Sequence, residues 1–188
     1  MTNFGKIIII SGPSGSGKTT LVKHIVESLG YYFSKSVTTR KMRPGELEDN
    51  YEHVEVEEFR ERIASGYFLE YEEVYTDKFY GTPKRPVLDE VENGRNVVLE
   101  IDVKGAMRIR SLYSDLCFLI FVQPPSIEAL KQRLLTRGQM NERDLNERLN
   151  RAIMEILHAS RFEAVIKNDN LEQAKSEILQ AVLTRTRD

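Results

Sequence analysis

One stretch decides the fold of this chain: Gly12-Pro13-Ser14-Gly15-Ser16-Gly17-Lys18-Thr19. It fits the pattern G-x-x-x-x-G-K-[ST] of the phosphate-binding loop known as the P-loop. Four consecutive isoleucines at positions 7–10 precede it and predict a fully buried strand. Apolar residues follow at helical spacing from Leu21 to Leu29, and Gly30 is a typical helix stop. The predicted order of strand, glycine-rich turn and helix is the context in which this motif binds a nucleotide.

The residue types of the loop suit a polyphosphate. Glycines let the backbone approach the phosphates, and amide hydrogens at the helix N-terminus present positive potential to them. Lys18 adds a cation for the outer phosphates, and the Thr19 hydroxyl is placed to bind Mg²⁺. The residues predicted to bind a nucleoside triphosphate are Gly12, Pro13, Ser14, Gly15, Ser16, Gly17, Lys18 and Thr19.

The composition is typical of one soluble globular domain. The chain has 188 residues, of which 40% are hydrophobic and 30% charged, and its formal net charge is −2. This balance gives no reason to expect nucleic acid or a membrane as a partner, and no obligate protein partner is predicted. No apolar run is long enough for a membrane span or a signal peptide, so we expect a cytoplasmic protein. Cys117 lies in a buried-strand pattern and is expected to be an inert thiol.

Strands and helices alternate along the chain, which predicts a parallel sheet with helices on both faces. Ligands of such sheets bind beyond the C-terminal ends of the strands. Besides the strand before the P-loop, core strands are expected at residues 97–101, 116–122 and 164–166. Helices are expected at residues 103–112, after the N-cap Ser126, from Asp144 onward, and around Leu171, Ile178 and Val182.

The helix expected from Asp144 is long and amphipathic, and it follows a loop predicted at residues 138–141. Its inward face is predicted to carry Leu145, Leu149, Ile153, Ile156 and Leu157.

Residues 35–85 differ from the rest of the chain. They are rich in charge, Tyr and Phe, with short alternating stretches, and they predict a small mixed insert. Arg40 and Arg43 lie three positions apart there, and guanidinium groups match phosphate oxygens bidentately. Two arginines in an acidic stretch are also common as solvated ion-pair partners, so this pair alone leaves both interpretations open.

An ordered set of motifs makes the chain resemble the guanylate kinase family. After G-P-S-G-S-G-K-T come S-x-T-T-R-x-x-R-P-G-E from Ser36, F-L-E at residues 68–70 and F-Y-G-T at residues 79–82. L-E-I-D at residues 99–102 and R-x-x-x-R-G from Arg133 complete the set, and the resemblance covers nearly the whole chain. It implies a P-loop core, a GMP-binding insert and a helical lid.

The resemblance also implies residue roles. Glu70 would accept hydrogen bonds from guanine N1 and the 2-amino group, while Ser36 and Thr82 would meet O6. A carboxylate can accept two parallel N–H donors, which guanine offers and adenine does not, so the wrong base would leave it unpaired. Asp102 resembles the family aspartate near the base and the magnesium ion, with both roles open, and Glu100 is a weaker candidate. The implied GMP-binding residues are Ser36, Arg40, Arg43, Tyr51, Glu70, Tyr80, Thr82 and Asp102.

Three arginines match those of the family lid: Arg133, Arg137 and Arg148. Together with Lys18 they are the implied catalytic residues, brought onto the ATP phosphates by a hinged lid. A solvated basic helix face is the other interpretation of this spacing. Asn168 matches a family residue near adenine and is also plausible as part of a loop before the last helix.

The implied division of the chain is a core at residues 1–35, 86–127 and 151–188. The insert takes residues 36–85 and the lid residues 128–150. The stretch from Gly45 to Tyr51 is one residue shorter than the usual family form, and Lys104 stands where family members often carry Gln.

The predicted function is transfer of the γ-phosphoryl group of MgATP to GMP and dGMP. Two alternatives remain at this point. One is a related kinase that phosphorylates a ribose bisphosphate, against which the Glu70, Ser36 and Thr82 set argues. The other is an inactive guanylate-kinase-like domain that binds phosphopeptides, against which the intact Lys18 and Thr19 argue.

Overall fold

The computed structural model describes residues 4–42, 51–136 and 141–186. The strands are β1 (Ile7–Ser11), β2 (Tyr32–Phe33), β3 (Ser36–Thr38), β4 (Tyr51–His53), β5 (Phe68–Tyr75), β6 (Lys78–Pro83), β7 (Val97–Glu100), β8 (Cys117–Gln123) and β9 (Ala164–Lys167). The helices are α1 (Lys18–Leu29), α2 (Val56–Ala64), α3 (Lys84–Glu92), α4 (Val103–Tyr113), α5 (Ile127–Thr136), α6 (Glu142–Ile156) and α7 (Leu171–Thr186). Arg43 and Arg137 lie outside the described residues.

A five-stranded parallel sheet in the order β2-β7-β1-β8-β9 forms the centre of the molecule. Side chains of a strand point alternately to the two faces of the sheet, so the four isoleucines of β1 divide between both faces. Ile7 and Ile9 pack in one hydrophobic cluster, and Ile8 and Ile10 pack in the other. Both faces are therefore buried, as the continuous apolar runs predict.

Helices cover both faces of this sheet, which confirms the predicted fold class. Helices α3 and α4 supply buried residues such as Val87 and Ile109 to one cluster. Helices α1 and α7 supply residues such as Ile25 and Ile178 to the other. Cys117 is buried in the first cluster, and burial raises the pKa of its thiol to about 12, as expected of an inert thiol.

A second, mixed sheet is built from the segments between Ser36 and Pro83. Its order is β4-β3-β6-β5, with β3 and β4 parallel and the other pairs antiparallel. Phe59 of α2 is fully buried behind it and stacks on Phe68 and Phe79, with ring centroids 4.5 and 5.3 Å away. These aromatic contacts give the small sheet a packed layer of its own.

Helices α5 and α6 pack against each other through Leu130, Leu134, Leu145 and Ala152. Helix α6 begins at Glu142, where the Asn141 side chain accepts a hydrogen bond from the backbone N–H of Asp144. It is therefore longer at its start than predicted, because Asn141 supplies the cap.

The inward face predicted for α6 is wrong at two positions. Ile153 and Leu157 are 43% and 67% exposed, whereas Ala152 is buried. The prediction placed four of its residues at steps of four, and each such step turns the stripe by about 40° around a helix of 3.6 residues per turn. The buried stripe instead passes through Leu145 and Ala152, with Leu149 partly buried between them.

None of the helices in the described residues is long and apolar enough to cross a membrane.

Candidate active site

The P-loop connects β1 to α1 at the C-terminal edge of the parallel sheet. Gly12 has φ 137° and Gly17 has φ 98°, a region that favours glycine. A Cβ on Gly12 would lie 2.3 Å from the carbonyl oxygen of Val122, and one on Gly17 would lie 2.1 Å from Asn168 Nδ2. Both positions therefore require glycine for the space around them as well as for the turn.

Lys18 and Thr19 start helix α1 directly after this turn. Lys18 Nζ donates hydrogen bonds to the carbonyl oxygens of Gly12 and Pro13, at 2.7 and 3.1 Å. The ammonium group is thereby held across the loop, close to the N-terminal end of α1, where backbone N–H groups attract anions. The buried Ser16 Oγ has no hydrogen-bond partner within the described ranges, and a phosphate oxygen would satisfy it.

Thr19 lies beside a carboxylate at the mouth of the P-loop. Its hydroxyl donates to Glu100 Oε1 at 3.1 Å, so two oxygen atoms lie together at the mouth of the loop. Mg²⁺ prefers oxygen ligands and usually takes few from the protein when it also binds nucleotide phosphates. This pair therefore fits an ion that arrives with ATP.

Asn168 and Arg133, which lie outside the P-loop in sequence, stabilise it by hydrogen bonds. The side chain of Asn168, which is buried, donates to the Ser16 carbonyl oxygen at 2.8 Å. Arg133 of α5 donates to the carbonyl oxygens of Asn168 and Ser16, at 2.9 and 3.4 Å. Because Arg133 already lies against the loop, α5 positions a cation beside the P-loop.

Antiparallel pairing of β5 with β6 builds the opposite wall of the site. Glu70 lies directly across from Thr82, so their side chains share one face, and the Thr82 hydroxyl donates to Glu70 Oε1 at 2.7 Å. Alternation along β5 adds Glu72 and Val74 to the same face. Leu69, by contrast, joins the hydrophobic core.

Glu70 is a buried carboxyl group with an altered acidity. Burial raises its pKa from 4.5 to about 7, while the hydrogen bond from Thr82 lowers it and the nearby charge of Asp102 raises it. Its second oxygen lies against α4, because a Cβ on Gly105 would be 2.5 Å from Glu70 Oε2. The carboxylate is thus fixed by Thr82 on one side and by helix backbone on the other.

A basic and phenolic corner lies beside Glu70 in the second sheet. The Arg40 guanidinium lies over the Tyr51 ring, 5.2 Å from its centroid, and the Tyr51 and Tyr80 rings meet edge to face at 6.0 Å. Guanidinium and phenol groups both donate hydrogen bonds to phosphate oxygens. This corner can therefore bind a phosphate in the same cleft as Glu70.

Asp102 caps helix α4 at the end of β7. Its Oδ1 accepts a hydrogen bond from Gly105 N at 2.8 Å, and its Oδ2 accepts one from Arg151 Nη2 at 3.1 Å. The side chain is 19% exposed and faces the cleft. One aspartate thus links the central sheet, α4 and α6.

One cleft of about 540 Å³ joins these groups. Five of the predicted site residues are close to the cleft without lining it. Three of them, Thr82, Ser16 and Pro13, are buried behind its surface, and the other two, Arg133 and Asn168, lie against the P-loop. The predicted residues that line it are Gly12, Ser14, Gly15, Gly17, Lys18, Thr19, Ser36, Arg40, Tyr51, Glu70, Tyr80, Asp102 and Arg148.

The family model described as guanylate kinase matches residues 4–185 of the chain. This chain belongs to the guanylate kinase family. A guanylate kinase of Clostridium acetobutylicum is 42% identical over 179 residues, which cover 95% of this chain and 85% of the relative. One of Bacteroides thetaiotaomicron is 44% identical over 180 residues, covering 95% and 88%. The crystal structure of guanylate kinase from Anaplasma phagocytophilum has a TM-score of 0.80 at 30% identity, covering 99% of this chain and 88% of that one.

Sequence reasoning missed several residues of the cleft in this member of the guanylate kinase family. Arg151 and Glu155 line it from α6, and Glu72 and Lys78 line it from the second sheet. Arg151 lies three positions after Arg148, so the helical period would have placed both on one face. Helical spacing also indicates the ion pair of Arg151 with Glu155, four positions later. Nothing in the sequence indicated its partners on β5 and at the end of β7.

Proposed function

We propose that this protein is a guanylate kinase that transfers the γ-phosphoryl group of MgATP to GMP or dGMP, giving ADP and the nucleoside diphosphate. The observation that carries the proposal is the position of Glu70. Its buried carboxyl group, held by Thr82, lines the same cleft as Lys18 and Thr19 of the P-loop.

Glu70 reads the guanine base in this proposal. Its carboxylate accepts hydrogen bonds from guanine N1–H and the 2-amino group, an edge that adenine does not present. A hydroxyl has one hydrogen, and that of Thr82 is donated to Glu70. We therefore assign the donor to guanine O6 to Ser36 and assign Thr82 to orienting Glu70.

The phosphate of GMP binds in the corner formed by Arg40, Tyr51 and Tyr80. The geometry of these three residues supports the assignment, because they cluster in one part of the cleft. Arg43 is proposed to join them on the grounds of its sequence position alone.

Phosphoryl transfer here requires positioning and charge neutralisation. A GMP phosphate oxygen is already anionic at neutral pH, so it attacks the γ-phosphorus without a general base while the bond to the ADP oxygen breaks. Lys18, Arg133 and Arg148 stabilise the charge on the transferring group, with Arg137 as a further proposed member. Asn168 holds the loop that binds ATP.

A magnesium ion bound with ATP supplies neutralisation of phosphate charge. Thr19 is its proposed protein ligand, and Glu100 lies beside that hydroxyl. Both are oxygen donors at the mouth of the P-loop.

The chain divides into three proposed functional parts. Residues 1–35, 86–127 and 151–188 form the ATP-binding core, residues 36–85 form the GMP-binding insert, and residues 128–150 form the lid. Closure of insert and lid over the cleft would exclude water, which otherwise competes with GMP for the γ-phosphoryl group.

The test is ADP formation from MgATP with GMP, dGMP, AMP, CMP, UMP and ribose 1,5-bisphosphate as acceptors. We expect turnover with GMP and dGMP only, and its loss by orders of magnitude in Lys18→Ala. A surface variant, Arg143→Ala, is the matched control and should keep wild-type turnover, because Arg143 is exposed.

Two results would contradict the proposal. Turnover with another acceptor would retain the P-loop assignment and reject the role of Glu70. Binding of GMP without turnover on any acceptor would favour a binding domain over an enzyme.

A further inference from the structure

Arg151 connects three parts of the molecule. From α6 it donates through Nη1 to the Val74 carbonyl oxygen at 2.9 Å and through Nη2 to Asp102 Oδ2 at 3.1 Å. Its Nε donates to Glu155 Oε1 at 2.8 Å, one helical turn away. The guanidinium therefore touches α6, the end of β7 and the distant end of β5 at once.

These contacts fix the carboxylate of Asp102. Gly105 N–H binds Oδ1 and Arg151 binds Oδ2, so neither oxygen can turn without losing a hydrogen bond. Asp102 lies close enough to Glu70 to raise the pKa of that carboxyl group. Arg151 thus compensates one of two neighbouring acidic groups on the acceptor side of the cleft.

The contact with Val74 concerns a different element. Val74 lies four residues after Glu70 on β5, and both residues line the cleft. A hydrogen bond from α6 to this carbonyl therefore holds the β5–β6 hairpin, which carries Glu70 and Thr82, at a set distance from α6. Charge-assisted bonds of partly buried guanidinium groups are among the stronger ones in proteins.

We propose that Arg151 is a positioning residue of the acceptor site. It orients Asp102 and holds the hairpin that carries Glu70 against α6, so it controls the affinity for the acceptor nucleotide and leaves that for ATP unchanged. This inference rests on the proposed assignment of GMP to the Glu70 side of the cleft. Arg151 acts through Asp102 and Val74 and takes no direct part in the phosphoryl transfer.

Steady-state kinetics of Arg151→Ala test the proposal. We expect KM for GMP to rise about tenfold or more, because one or two charge-assisted hydrogen bonds are lost. KM for ATP should stay within about twofold. Arg151→Lys keeps the charge but cannot reach three partners, so its KM for GMP should lie between those of the wild type and Arg151→Ala. Arg143→Ala, an exposed arginine of the same helix, is the control.

A double-mutant cycle with Asp102→Asn distinguishes positioning from simple structural support. Asn retains the cap of α4 but removes the charge that Arg151 binds. If Arg151 acts through Asp102, the double variant should raise KM for GMP by less than the product of the two single effects. Independent, multiplying effects would overturn that part of the proposal.

The outcomes separate this inference from the proposed function. Wild-type protein that does not phosphorylate GMP would reject the proposed function itself. Wild-type turnover with an unchanged KM for GMP in Arg151→Ala, or with KM for ATP raised equally, would reject the role of Arg151 alone. Should Arg151→Ala fail to fold, Arg151→Lys and GMP titration calorimetry give the same comparison.

Discussion

The carboxyl group of Glu70 sets the pH response expected of acceptor binding. Burial raises its pKa to about 7, Asp102 and Glu72 add to the rise, and Thr82 and Arg108 oppose it. The neutral form has a hydroxyl hydrogen where guanine presents its own donors. We therefore expect kcat/KM for GMP to fall as the pH drops below about 7, since this ratio reports the free enzyme.

The control for this profile is Glu70→Gln, measured over the same pH range. The GMP phosphate itself titrates near pH 6, as phosphate monoesters do, and its contribution remains in the variant. The step near pH 7 should therefore disappear in Glu70→Gln, while the phosphate step persists. Identical profiles for both proteins would show that Glu70 does not govern the step.

The same raised pKa predicts a stability effect. Folding favours the neutral form of Glu70. Its contribution to the free energy of unfolding is therefore complete below pH 4.5 and is lost as the pH rises through about 7. Urea unfolding without ligand should show wild-type protein losing more stability between pH 5 and pH 8 than Glu70→Gln does. An equal loss would contradict the burial argument.

Gly105→Ala should weaken GMP binding without weakening the fold. The added Cβ would lie 2.5 Å from Glu70 Oε2, so the carboxyl group must shift and its hydrogen bond from Thr82 weakens. Ala favours helix α4 over Gly by up to about 1 kcal/mol, which offsets that cost to the fold. We expect KM for GMP to rise about tenfold and the melting temperature to stay level or rise.

Ser111→Ala, on an exposed position of α4, serves as the matched control for this substitution. It should leave both KM values unchanged. A Gly105→Ala variant with wild-type KM for GMP would mean that Glu70 reads the base from another position.

The kind of contact that a site residue makes decides whether it could be predicted from the sequence. Motif order brought Glu70 and Thr82 together, and the antiparallel register of β5 and β6 places them opposite each other. The contacts of Asp102 with Arg151 could not be predicted, because they join residues 49 positions apart in different elements. Side-chain partners of this kind depend on tertiary packing.

At the scale of single elements, the P-loop depends on the turn that follows β9. Asn168→Ala removes the donor to the buried Ser16 carbonyl and should cost about 1–3 kcal/mol of unfolding free energy. The loop would also lose its support, so KM for ATP should rise while KM for GMP stays level. Thermal unfolding and steady-state kinetics measure the two effects.

Asn170→Ala is the comparison for Asn168→Ala in the same turn. Its side chain accepts from Gln173 N at the start of α7 and does not touch the P-loop. It should cost about 1 kcal/mol as a lost helix cap and leave both KM values unchanged. If the two variants behaved alike, Asn168 would be a structural residue only.

Helix α6 shows where element prediction reaches its limit. Its existence follows from the apolar spacing, but its start at Glu142, its Asn141 cap and its buried face do not. The pattern of apolar residues offers Ile153 and Leu157 as core positions, and both are exposed, because the buried stripe passes through Leu145 and Ala152. The face toward the cleft carries Arg148, Arg151 and Glu155. The spacing of apolar residues does not predict which face of a helix carries the polar residues of a site.

At the scale of the whole molecule, the second sheet has an aromatic layer of its own, while its Leu69 joins the core of the parallel sheet. Phe59 belongs to the layer behind the second sheet, and Phe59→Ala should cost about 3–5 kcal/mol within that sheet. We expect GMP affinity to fall strongly while the parallel sheet still binds ATP. Titration calorimetry with each nucleotide, with Phe4→Ala as an exposed aromatic control, measures this difference.

Equal loss of ATP and GMP binding in Phe59→Ala would show that the two sheets unfold as one cooperative unit.

The fold class could be predicted from the sequence, because alternating apolar strands and helices determine a covered parallel sheet. The pairing within the second sheet was not, since its strands are short and its order mixes parallel and antiparallel neighbours.

The most direct test follows the γ-phosphoryl group itself. Phosphorus NMR of MgATP and GMP with wild-type protein should show ADP and GDP appearing in equal amounts, with little free phosphate. Lys18→Ala should form neither product at a comparable rate, and Glu70→Ala should transfer poorly to GMP. Release of inorganic phosphate without GDP from the wild-type protein would contradict the account.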